Sequence, residues 1–308
     1  MTTLLSKSTI YPIILPQKFY KDRYGHPNSL IEMNPSMNID ENQNMVILVR
    51  CVNYRKYYNK EFTMFEDESK SKYFMLKGKL REEIPLNMEE FEYQDVIVHK
   101  NLPTFFSYWK GIEDIRFVDS ETILATVPEF NKNGNPSIYV AKIHENCIHS
   151  FVDCQPNERE KNWMPIHGTH TVIYSLSPFL LKEIEKDVFT KVDLSEEIQE
   201  IVKPYHGSTN SIPLTSQQQL FLIHSNEKEK TIHRWLLLDT RENTIQVSDE
   251  FMFFRHSYIE FPVSLCRDHN RMFVSLGVND DKAFIVEITI QEVVHMLKGR
   301  NNTIESKI

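Results

Sequence analysis

The chain has 308 residues with 41% apolar and 25% charged side chains, enough for one large core or two ordinary ones. Its net charge of −8 argues against a surface built to track nucleic-acid phosphates. No apolar run nears the roughly 18 residues of a membrane span, and Met1 to Gln17 lacks the zones of a signal peptide, so a cytoplasmic protein without membrane contact is expected.

In chain order, the first strong strand signal is Met45–Arg50 (MVILVR), after the polar Asn34-Pro35-Ser36. Asn59–Tyr108 follows, charged and aromatic without an obvious repeat, and reads as an insert on the outer edge of the first sheet. Paired runs then recur: Thr122–Val127 with Ser137–Ile143, Leu220–His224 with Arg234–Leu238, and Arg271–Val278 with Ala283–Ile288 around Asn279-Asp280-Asp281. Thr171–Leu176 is strand-like with a less obvious partner. Helical patterning is confined to Leu180–Val202, which carries β-branched interruptions, and to Thr289–Lys298, where Thr289 is the expected N-cap and Val293, Val294 and Leu297 share a face. Only 8 glycines are present, so Asn and Asp must make many turns.

A polar segment precedes each pair, beginning near Asn34, Gly111, Lys161, His206 and Ile259, and the later ones lie about 50 residues apart. That spacing predicts an all-β chain in one domain, a five-bladed β-propeller with a short C-terminal helix; a β-sandwich with long loops is the rival. The segments are Asn34-Pro35-Ser36 with Val49-Arg50-Cys51-Val52-Asn53-Tyr54, then Gly111-Ile112-Glu113-Asp114-Ile115-Arg116, Lys161-Asn162-Trp163-Met164-Pro165, His206-Gly207-Ser208-Thr209, Ile259-Glu260-Phe261 and Ser275-Leu276-Gly277-Val278-Asn279-Asp280. Taken in order, they resemble a family of five-bladed propellers related to β-mannoside phosphorylases and, more distantly, to arabinanase-like and invertase-like glycosidases.

The resemblance implies a pocket at one end of the propeller axis and a sugar substrate, an oligosaccharide or glycoconjugate. It implies that Asp114, in the position of the acid of an "EDPR"-like motif, protonates the glycosidic oxygen, with Glu113 and Arg116 beside it. Ile115 stands where the relatives carry Pro, and Asn162 replaces an acidic residue, which puts phosphate-binding roles in doubt.

The residues themselves carry part of this. Strand alternation sends Asp114 and Arg116 to one face and Glu113 to the other, and an adjacent Arg would keep Asp114 ionised, wrong for a resting acid. The competing reading is an ion pair closing the blade. Asn34 and Arg50 offer donors and acceptors for hydroxyls or a phosphate, with a turn-forming Asn and a solvated Arg as the alternative. Lys161, Asn162, His206 and Ser208 are further candidates for substrate binding. Glu260 and Asp280 are candidates for the base of an inverting hydrolase, although turn chemistry alone explains an Asp at position 280.

No cofactor or metal is expected, because the phosphate-cradling and metal-ligating motifs are absent; inorganic phosphate is the one possible co-substrate. A hydrolase or phosphorylase with Asp114 as proton donor leads, acting on a manno-configured sugar. A glycosyltransferase on the same propeller and a non-catalytic glycan-binding propeller are the alternatives.

Overall fold

A computed structural model describes residues 3–4, 8–16, 19–21, 27–56, 62–64, 68–82, 84–154, 159–226 and 230–298. Five antiparallel sheets follow one another along the chain. The first blade holds Ile31–Ile39, Asn44–Val52, Ser69–Lys79 and Glu92–Asp95; the second holds Glu113–Phe117, Thr122–Thr126, Ile138–His144 and Cys147–Asp153. The third runs from Met164–Pro165 through Thr171–Leu176 and Phe179–Glu183 to Phe189–Lys191. The fourth is built on Gln218–Ser225 and Ile232–Asp239, and the fifth on Glu260–Asp268, Arg271–Val278 and Lys282–Thr289.

The continuous apolar runs have a simple cause. Each blade is covered on both faces, so successive side chains, pointing to opposite sides, must both be apolar. Leu220 and Leu222 pack with Leu265 and Met272 of the fifth blade, whereas Phe221 and Ile223 pack with Met164 and Ile173 of the third. Ile47 and Val49 likewise meet Phe273 and Ile285, while Leu48 turns towards Ile115 and Ile123. A further cluster joins Leu124 and Val140 to Trp163 and Val172. Each large apolar cluster thus fills the gap between two neighbouring blades, and together they close a ring. Thr9–Ile13 completes the fifth blade as its outer strand, in register from Thr9 opposite Glu287 to Ile13 opposite Ala283. The two ends of the chain therefore share one sheet, and the β-sandwich rival is set aside.

Two expectations need correction. Asn59–Tyr108 is not an outer decoration: Ser69–Lys79 is the third strand of the first blade, paired with Asn44–Val52, and it buries Tyr73, Phe74, Met75 and Leu76. Flanking lysines mask that short apolar run in the sequence. Asn59 and Lys60, where the insert was expected to begin, lie outside the described residues. The helical pattern of Leu180–Val202 resolves into two strands and a helix confined to Glu196–Val202, capped by Ser195 Oγ accepting from the Ile198 amide. Phe179–Glu183 is the missing hairpin partner of Thr171–Leu176. The C-terminal helix, Ile290–Lys298, follows the expectation, with Thr289 Oγ1 accepting from the Glu292 amide at 3.3 Å. Among the described residues no helix is long and apolar enough to cross a membrane.

Candidate active site at the mouth of the propeller

A cavity of about 1140 Å³ opens where the blades converge, and residues of all five line it. The first blade supplies Asn34, Arg50 and Tyr54, the second Glu113 and Asp114, the third Lys161 and Asn162, the fourth His224, and the fifth Phe261 and Asp280. Its floor is set by a repeated backbone device. In the first three blades the residue facing the axis, Asn34, Asp114 or Asn162, has a left-handed backbone, with φ of 41°, 26° and 65°. Asn and Asp tolerate that conformation better than other side-chain-bearing residues. The ladder slips at the first two of these positions, between Met33 and Ser36 and between Glu113 and Arg116. Strained backbone held by its surroundings is typical of functional sites.

The slip at Asp114 overturns the expected alternation. Glu113 and Asp114 both face the cavity, and Arg116 does not line it. A bulge places two successive residues opposite one partner, so the simple period of two fails there. Arg116 is buried behind the wall, where it donates to the Ser208 carbonyl and to Asn162 Oδ1 at 3.4 Å. It is a brace for the third and fourth blades.

A compact charge network results. Asp114 Oδ1 accepts from Asn34 Nδ2 at 3.1 Å and from the Arg50 guanidinium at 3.4 Å. Glu113 accepts from Lys161 Nζ at 2.8 Å and faces Arg50 at 3.9 Å. Arg50 is itself oriented by Ser71 Oγ, 2.9 Å from its Nε. Burial would push the Asp114 carboxyl up, but Arg50, then Arg116, Lys161 and the Asn34 hydrogen bond outweigh it, so the group lies below the ordinary carboxyl range. Asp114 is ionised in the resting site, as the neighbouring Arg led us to expect, although the arginine chiefly responsible is Arg50.

Other candidates fall outside the cavity wall. Glu260 is buried and accepts from His233 Nε2 at 3.0 Å, from the amides of Phe253 and Phe254, and from Ser257 Oγ. Its oxygens are turned inward to knit a loop of the fifth blade to the fourth, and it does not line the cavity. The expectation that it faces Asp114 across a water is withdrawn. Ser208 is fully buried, its hydroxyl 2.6 Å from His224 Nδ1, and His206 is exposed but off the wall, its ring 5.8 Å from that of His224. His224 takes the place expected of His206. Burial, then His233, His206 and Arg116, pushes its pKa well down, so it is a neutral ring. Asp280, at φ 53° in the fifth-blade turn, does line the cavity.

Two glycines let the polar residues reach their places. A Cβ on Gly277 would stand 2.0 Å from Asn34 Oδ1, and one on Gly207 would stand 2.2 Å from the Asn162 carbonyl oxygen. Gly277→Ala is expected to turn the Asn34 amide away from Asp114, at a stability cost of about 1–3 kcal/mol. A melting curve together with sugar titration checks this, the affinity falling in parallel.

Sequence reading missed His224, Tyr54 and the aromatic residues Phe106, Tyr108 and Trp109 of the wall. His224, like Arg50, is a polar side chain that closes an apolar run (Leu220–His224, Met45–Arg50), and a search for such residues finds it in the sequence. Among the described residues no cluster of His, Cys, Asp or Glu suits a metal ion.

No family model matches the chain, and no curated protein does. Solved structures do. A β-1,2-mannobiose phosphorylase from Listeria innocua, in complex with β-1,2-mannobiose, is similar at TM-score 0.58 and 12% identity, over 88% of this chain and 93% of that one. The likeness is one of fold. A glycosyl hydrolase from Bacteroides ovatus aligns at TM-score 0.58 and 12% identity over 92% of this chain and 91% of its own. A third neighbour comes from the mannoside phosphorylase family that contains glycoside hydrolases targeting β-1,2 mannosidic linkages in Candida mannan, at TM-score 0.58 and 12% identity over 91% of both chains. Identity this low establishes the five-bladed architecture, and residue roles do not pass across with it.

Proposed function

We infer that the chain is a carbohydrate-active enzyme that cleaves a glycosidic bond in this cavity, with Asp114 as the proton-transfer residue. The observation carrying the reading is the pair Glu113 and Asp114, set side by side on a strained bulge at the meeting point of all five blades, next to Arg50, Asn34 and Lys161. Amide, guanidinium and ammonium donors beside carboxylate acceptors suit a ring of sugar hydroxyls. Tyr54, Trp109 and Phe261 supply flat apolar faces. The neighbours named for mannobiose and mannosidic linkages favour a manno-configured substrate.

Hydrolysis is favoured over phosphorolysis. A phosphate would need several cations to converge on it, yet Arg50 and Lys161 already face carboxylates and His206 lies off the wall, which leaves it Arg159 of the wall. With Glu260 withdrawn, Asp280 is the candidate base that takes a proton from the attacking water. Asp114 must take up a proton from solvent before it can give one to the leaving oxygen, and the proton that Asp280 takes from the attacking water returns to solvent after turnover. Sugar filling the cavity drives the uptake at Asp114, because it excludes water and its hydroxyls compete for the Arg50 donors. The ionised resting state of Asp114 equally suits a propeller that binds glycans without turnover, and that is the second reading.

Incubating the purified chain with manno-oligosaccharides, with and without inorganic phosphate or nucleotide sugars, separates these readings. Reducing sugar released without phosphate is the expected result. Sugar phosphate formed only when phosphate is present means phosphorolysis, and donor-dependent transfer means a glycosyltransferase. Binding with no turnover under any condition sinks the catalytic reading.

A further inference from the structure

Phe106 and Tyr108 break the rule that large aromatic rings hide. They are 71% and 74% exposed, and they meet each other edge to face at 5.1 Å. Taking such a ring out of water is favourable, so a loop free to fold back would do so. This one is braced. The Phe105 amide donates to the Glu129 carbonyl at 2.7 Å, and Ser107 Oγ donates to the Gly134 carbonyl at 3.1 Å. The Tyr108 carbonyl accepts from Ser69 Oγ at 2.7 Å, and Trp109–Lys110 pairs in parallel with Ser69–Lys70. Gly134, at φ 67°, passes so close that a Cβ there would stand 2.6 Å from the Phe106 carbonyl oxygen. Both rings belong to the wall of the cavity, and the next aromatic pair, Tyr54 with Trp109 at 5.3 Å, continues the same wall.

We propose that Phe106 and Tyr108 form a stacking platform for the outer pyranose rings of an oligosaccharide whose reacting linkage lies at Asp114. This rests on the glycosidic reading above and deepens it: the substrate is a chain longer than a disaccharide. A pyranose presents an apolar face of axial C–H bonds, and a rigid aromatic plane receives it with little loss of conformational freedom. The continuity of the pair with the cavity wall names the occupant, since a sugar chain leaving the cavity along this side passes over it.

The test titrates the purified chain and a Phe106→Ala, Tyr108→Ala double variant with β-1,2-linked manno-oligosaccharides of two to five units, by calorimetry. Light scattering gives the mass of both proteins. Affinity in the parent chain is expected to rise with length. The double variant is expected to lose roughly tenfold for the longer chains and to match the parent on the disaccharide. Equal affinity for all lengths, or a length effect surviving in the double variant, overturns the platform while leaving the glycosidic reading intact. Self-association abolished by the double substitution also overturns it, because the pair would then serve a second copy of the chain. Failure to bind any member of the series removes the glycosidic reading and the platform with it.

Discussion

Asp114→Asn is expected to lower turnover about 100- to 10,000-fold while leaving sugar affinity within a few-fold. The substitution is well matched to the site. Asn tolerates the left-handed backbone of φ 26° that Asp114 adopts, and its amide oxygen can still accept from Asn34 Nδ2, now at 3.1 Å. Shape and most hydrogen bonding survive, so what is lost is the capacity to carry a proton. Asp114→Ala is the poorer probe, since it also gives up the hydrogen bond to Asn34. Rates on the substrate selected by the activity screen, set beside calorimetric affinities, check the prediction. A variant retaining more than a tenth of the parent rate would leave Asp114 as a sugar ligand and pass proton transfer to another group.

The second large effect is on stability. Arg50 lies buried between Glu113 and Asp114, and Arg50→Met removes the shared cation while keeping an unbranched side chain in the space. Breaking a buried pair from one side typically costs about 3–5 kcal/mol, because the remaining charges have neither partner nor water. The pH dependence gives a finer check. In the parent, the Asp114 carboxyl lies below its ordinary value of 3.8, so its contribution to stability is present above that value and is lost as pH falls through the folded pKa. In the variant, burial acts on Asp114 with its strongest opponent gone, and the folded pKa moves up. The deficit of the variant is therefore expected to be smallest below the parent's folded pKa, to widen as pH rises from there to the new folded value, and to level off above it. Chemical denaturation across that range measures it. A deficit independent of pH would mean that Arg50 acts through packing alone.

How much of this was legible in the sequence depends on the physics behind each signal. Blade spacing and continuous apolar runs such as Met45–Arg50 read correctly, because a strand covered on both faces has little freedom in composition. Asn34, Asp114 and Asn162 stood out through the ordered motifs and the resemblance, and the structure brings them to one cavity wall on left-handed backbone that no sequence pattern announced. Glu260 misled because its sequence neighbourhood carries no trace of the loop amides and His233 that claim its oxygens. The two faces of the Glu113–Arg116 segment were misassigned because a bulge leaves no mark in a sequence with no glycine at that point. The buried strand Ser69–Lys79 was missed because the exposed or half-buried lysines on either side of its apolar centre dilute the apolar signal.

All of these expectations depend on the cavity at Asp114 being the place where sugar sits. A crystal structure of the Asp114→Asn variant grown with the preferred oligosaccharide measures this directly. The account predicts a sugar ring within hydrogen-bonding distance of Asn34 and position 114, with Asp280 facing it and the outer rings running towards Phe106 and Tyr108. Sugar bound on another face of the propeller, with this cavity holding only solvent, would contradict it.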